Sequence, residues 1–166
     1  MLKKIRKNDL MFHSVHGLCR VAEIPKAGAL PADNYSFVPV FQSRSKARFT
    51  VAREFLETAG FNKLISAKEA NEILEYFKTG AKKASATGGA WELAVLLREE
   101  SLSKEPMRDK RRAQKVNHSA KRLSSEMAIV LQSTVREMAD KIRENLEAVA
   151  KTNPMVLAAL ENVDAL

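Results

Sequence analysis

Ser66-Ala67-Lys68-Glu69-Ala70-Asn71-Glu72-Ile73-Leu74-Glu75-Tyr76-Phe77 is the stretch in which the chain changes its period. Ser66 and Glu69 have the spacing of a capping box, in which a hydroxyl and a carboxylate each satisfy a backbone N–H left free at a helix start. Ile73, Leu74 and Phe77 follow at the spacing of one helix face. Upstream the pattern is different. Leu18 to Ile24, Tyr35 to Phe41 and Arg48 to Val51 read as short strands. In the second of these, Tyr35, Phe37 and Phe41 share one face, and Ser36, Val38 and Val40 share the other. Pro25 to Asn34 is a turn-rich connection. Pro39 has no N–H to give to a sheet ladder, so its strand is expected to be an edge or to carry a bulge.

Downstream of Phe77 the helical period continues. Thr79 to Gly89 contains three glycines and is predicted to be a flexible link. A second helix is expected from about Ala90 to Leu102, and Pro106 at the start of a third. Val116, Ala120, Leu123, Met127, Val130, Thr134, Met138 and Ile142 then form one apolar seam, along a long helix or a helical hairpin. Thr152-Asn153-Pro154 ends that element and caps a short final helix. The fold class is therefore α+β: a small, bent antiparallel β domain over residues 1–62, then an all-α part. That part divides into a basic helical region, 63–133, and a helical C-terminal extension, 134–166.

The 166 residues carry a formal net charge of +8, and hydrophobic residues make up 45%. Such a composition belongs to a folded chain with a polyanionic partner. The excess is uneven: residues 1–60 balance at +5, 61–103 at zero, 104–122 at +6 and 123–166 at −3. Lys104, Arg108, Lys110, Arg111, Arg112, Lys115, Lys121 and Arg122 make the sharper concentration, with only Glu105 and Asp109 among them as counter-charges. Such a row can neutralise phosphates and give DNA affinity without reading sequence. The plainer reading is a solvated helix face.

Several classes of chemistry find no support. No apolar run is long enough for a signal peptide or a membrane helix, so a soluble cytoplasmic protein is expected. The single cysteine, Cys19, excludes an internal disulfide framework and reads as a small buried hydrophobe. His13 and His16 form an H-x-x-H at a strand turn, but no Glu or Cys apart from Cys19 completes a site, so no metal is expected. No nucleophile–base triad, carboxylate pair or phosphate loop is present, so no catalytic residue, cofactor or small-molecule substrate is expected.

Lys7-Asn8-Asp9-Leu10-Met11-Phe12-His13-Ser14-Val15-His16-Gly17-Leu18-Cys19-Arg20-Val21 resembles the opening signature of the CarD/CdnL family of bacterial transcription regulators. The same module serves as the polymerase-interacting domain of the transcription-repair coupling factor. Asp9, His16, Gly17 and Ile24 stand in the family's places, with Asn8 where glycine is usual. Tyr35 matches the aromatic that opens the next strand, Val51-Ala52 the usual Val-Pro, and Ala59-Gly60-Phe61-Asn62 the closing segment. The likeness covers roughly residues 3–131 and is strongest before residue 62.

That resemblance implies a Tudor-like β domain docking on the RNA polymerase β subunit through a strand edge, with Tyr35, Phe37, Arg48, Thr50 and Arg53 as the contact residues. Thr50 replaces an arginine frequent in the family, and Arg48 and Arg53 flank it. It also implies promoter DNA as the second partner, a monomeric state and stabilisation of the open complex. Family members carry a tryptophan that wedges into opened DNA, between helices one and two. Here that segment is short and Trp91 is the single tryptophan, so Trp91 is either the wedge or a core residue of its helix. The rival functions are a polymerase-binding adaptor without DNA contact and an oligomerising helical protein whose seam pairs between chains.

Overall fold

The computed structural model describes residues 5–13, 16–24, 34–40, 48–56, 58–105 and 108–163. The chain divides into two compact units, Met1–Leu64 and Ile65–Leu166. The first is a curled antiparallel sheet, with five strands among its described residues: β1 (Leu10–His13), β2 (Gly17–Glu23), β3 (Asn34–Pro39), β4 (Phe49–Ala52) and β5 (Phe61–Lys63), in the order β4-β3-β2-β1-β5. In a flat sheet β3 and β5 would lie about 14 Å apart. Here the rings of Phe37 on β3 and Phe61 on β5 stack with centroids 4.0 Å apart, so the sheet curls around its core. Met11, Cys19, Val21, Tyr35 and Leu56 fill the same core.

Two turns explain the glycine pattern of this unit. Gly17 has φ +70° with nothing within 4 Å of where a Cβ would sit, so the backbone conformation alone favours glycine there. Asn8, standing where a glycine is usual, takes φ +71°. Asparagine is among the residues that tolerate this region best.

β3 corrects an expectation. It lies inside the sheet, between β2 and β4. Pro39 is its last residue, opposite Cys19, and the ladder to β2 continues past it through the Val40 N–H, which donates to the Leu18 carbonyl at 3.0 Å. The bulge lies on the partner strand, between Val21 and Glu23 of β2. Phe41 lies outside the described residues.

The second unit holds five helices among its described residues: α1 (Ala67–Thr79), α2 (Gly89–Leu102), α3 (Lys110–Val130), α4 (Val135–Glu147) and α5 (Pro154–Glu161). Ser66 caps α1, its Oγ accepting the Glu69 N–H at 3.1 Å. Asn153 caps α5, with Pro154 in the first turn. α3 packs against each of the other four helices. Its seam residues Val116, Ala120, Leu123 and Met127 are buried, as are Met138 and Ile142 of α4. Thr134 is instead the exposed N-cap of α4, where it and Glu137 form a full capping box. The seam is thus a hairpin of two helices, closed inside the second unit.

The glycine-containing connection from Thr79 to Gly89 has a definite conformation. Gly80 ends α1 at φ +70°, and the Arg98 guanidinium carbon lies 2.8 Å from where a Cβ would sit. Ala86 is buried in the helical core, and Lys83 pairs with Glu72 at 3.0 Å. Pro106 lies outside the described residues; α3 starts at Lys110.

Candidate nucleic-acid interface

The basic segment opens with Asp109, whose Oδ1 accepts the Arg111 N–H at 2.9 Å and so starts α3. From Lys110 to Ser125 the helix contains no Asp or Glu. Its buried side is set by Val116, Ser119, Ala120 and Leu123, which turns the opposite side outward. Lys110, Arg111 and Lys115 are exposed there, and Lys121 and Arg122 are half-buried. Lys104 and Arg108, in the approach to the helix, are exposed as well.

Arg112 belongs elsewhere. Its Nη2 lies 2.7 Å from Glu100 Oε2, and its Nε donates to both oxygens of that carboxylate at 3.0 and 2.8 Å. A second, more exposed contact reaches Glu105 at 3.5 Å. Arg112 therefore closes α2 onto α3 rather than presenting a charge outward, which corrects its expected role as a DNA contact. Asn153 supports the same corner: its Nδ2 donates to the Ser103 carbonyl at 3.0 Å, and its N–H donates to Ser101 at 2.9 Å. Neither Glu100 nor the reach of Asn153 to the α2–α3 connection is visible in the sequence, since both partnerships join distant positions. Arg122 lies beside Gly89 of α2, and its charge also acts on Glu126.

Trp91 is a core residue. It is 4% exposed, and its ring meets Tyr76 edge to face with centroids 5.8 Å apart. An indole in that position cannot also wedge into a base step, so the wedge expectation falls.

Glu126 is the one buried carboxylate among the described residues. Its Oε1 accepts the Ile65 N–H at 3.1 Å, which fixes the chain just ahead of α1. Burial pushes this carboxyl up from the usual range; the Ile65 N–H and the Arg122 charge pull it part of the way back, and Glu69 adds to the rise.

On the sheet, the residues expected to face polymerase separate into two groups. Tyr35 and Phe37 are buried at 6% and 0% exposure. They sit on the interior strand β3, so their side chains belong to the core and offer nothing to a partner. Arg48, Thr50 and Arg53 are exposed, on or beside β4, which is an edge of the sheet. Arg48 reaches Glu23 at 3.5 Å across open surface. Phe55 is 56% exposed in the 3₁₀ turn that follows β4, and no sequence pattern marks it.

His13 engages both ring nitrogens: Nε2 lies 2.8 Å from the Ala59 carbonyl oxygen, and Nδ1 accepts the His16 N–H at 3.1 Å. The His16 ring stacks on Phe49 at 4.2 Å. The H-x-x-H therefore closes the turn between β1 and β2 through hydrogen bonds and ring contacts. Cys19 is fully buried, and burial pushes its thiol up, away from thiolate chemistry. Among the described residues no helix is long and apolar enough to cross a membrane. No protein-family model matches the chain, and no curated protein matches it.

Proposed function

We propose that this protein is a non-enzymatic transcription regulator that joins RNA polymerase to promoter DNA and favours the opened promoter. The observation that carries the reading is the exposed side of α3, basic and without a carboxylate from Lys110 to Ser125. A helix face of this kind gains affinity for a duplex by releasing condensed counterions. The resemblance of residues 7–21 to the CarD/CdnL signature supplies the second partner. On that reading the β unit is a Tudor-like module, and β4 adds to a sheet on the polymerase β subunit. Main-chain hydrogen bonds give such pairing its affinity, and Arg48, Thr50 and Arg53 give it specificity. A chain that binds the opened state better than the closed one shifts the promoter toward opening by that difference alone. With Trp91 buried, this reading gives the preference to the basic surface and not to an indole wedge.

The test is retention of the full chain on core RNA polymerase, with the wild type beside a variant carrying Arg48→Glu, Thr50→Glu and Arg53→Glu. Retention of the wild type through the β subunit and its loss in the variant is the expected result. Equal retention of both proteins, or of neither, contradicts docking through β4. Retention without any DNA association leaves the adaptor role.

A further inference from the structure

The exposed side of α3 is more ordered than a basic patch. At 3.6 residues per turn it resolves into three adjacent rows spanning roughly 160° of the circumference. One outer row holds Arg111 and Lys115, with the half-buried Arg122 beside Gly89 at its far end. The other holds Lys110, Asn117 and Lys121. Between them run Gln114, His118 and Ser125, three side chains that both donate and accept hydrogen bonds. Gln114, Asn117 and His118 are exposed, and no hydrogen bond from a core neighbour explains the choice of an amide or an imidazole there. A merely solvated helix face has no need for charge on its flanks and hydrogen-bonding groups along its centre. A helix lying in the major groove does. Its flanks meet the two phosphate rims, and its centre meets the base edges.

We infer that α3 is a sequence-reading helix for the major groove of duplex DNA, with Gln114 and His118 as the residues that meet base edges. This inference rests on the DNA-binding half of the proposed function and goes beyond it, because phosphate contacts by themselves carry no sequence information. A carboxamide such as that of Gln114 can pair in bidentate fashion with the N6 and N7 groups of adenine. His118, one turn further on, meets the next base pairs along the groove. Lys110, Arg111, Lys115 and Lys121 hold the register on the backbone. Double-stranded RNA is a poor alternative, because its deep, narrow major groove excludes side chains.

The test is selection of bound duplexes from a randomised DNA library by the full-length protein, followed by affinity measurements on the selected and on unrelated duplexes. Wild type is expected to enrich a short motif and to bind it about tenfold or more tightly than unrelated DNA. Gln114→Ala should lose the preference at one or two adjacent positions. Its affinity for unrelated duplex and its salt dependence should stay unchanged, since the Gln114 carboxamide carries no charge and is exposed. His118→Ala should lose the preference at a neighbouring position. If the wild type binds duplex DNA with a steep salt dependence but enriches no motif, base reading is wrong and phosphate contact stands. A motif that survives both substitutions also overturns the assignment. If no duplex is bound, both readings fall.

Discussion

The Trp91 indole stands edge-on to the Tyr76 ring, with planes at 73° and centroids 5.8 Å apart, and so locks α2 against α1. The relationship decides between two roles with opposite signs. Removing a large buried ring leaves a cavity, so Trp91→Ala should destabilise the helical unit by about 3–5 kcal/mol in denaturant unfolding. The native fluorescence should be blue-shifted and unchanged by promoter DNA. A stable Trp91→Ala protein whose opened promoter closes faster would restore the wedge.

Arg112 and Lys115 stand three residues apart with opposite duties. Arg112 is bound to Glu100 from 2.7 Å, whereas Lys115 is exposed on the outer row of α3. Arg112→Ala leaves the Glu100 carboxylate without its main partner and should lower Tm, while the salt slope of DNA binding stays as in wild type. Lys115→Ala should hold stability within about 0.5 kcal/mol and reduce that slope by about 0.9. Equal effects of the two substitutions on DNA binding would place both on the interface.

Glu126 makes stability depend on pH in a direction opposite to most carboxylates. Burial raises its carboxyl in the folded chain, so between the unfolded and folded values the native state holds the extra proton. This group's contribution is therefore most favourable in acid. It is lost as pH rises from the ordinary glutamate range through the raised folded value. Glu126→Gln keeps an oxygen for the Ile65 N–H and removes the titration. It should unfold at neutral pH with stability equal to or above wild type, and the gap should close toward acid. Chemical denaturation of both proteins across pH 4–8 checks the sign. A variant less stable at neutral pH than in acid, relative to wild type, contradicts it.

The change from sheet to helix was legible at Ser66, and the cap of α5 at Asn153, because both are written in neighbouring residues. β1 and β5 carry no strand signature in the sequence. Met11, Phe12 and His13 are all buried, so β1 shows no alternation, and β5 has only three residues. A sheet that curls on itself covers parts of both faces and erases the period of two. Pro39 suggested an edge, but it is the strand's last residue and the ladder continues past it through the Val40 N–H. Thr134 continued the apolar spacing of α3, while Thr134-Val135-Arg136-Glu137 also spelled a capping box, and the cap prevailed. The charge on α3 was legible as composition. Its division into a structural Arg112 and an outward Arg111 and Lys115 was not, since that depends on Glu100 arriving from another helix.

The central claim is that α3 presents its charge to DNA, and the salt dependence of binding to a promoter duplex tests it most directly. Wild type should show log affinity falling linearly with log salt. A variant with Arg108→Ala, Lys110→Ala, Arg111→Ala and Lys115→Ala should show a slope shallower by about 0.9 for each phosphate contact removed, about 3–4 in total, with folding unchanged. A slope identical to wild type would contradict the account and leave this side of α3 as a solvated surface.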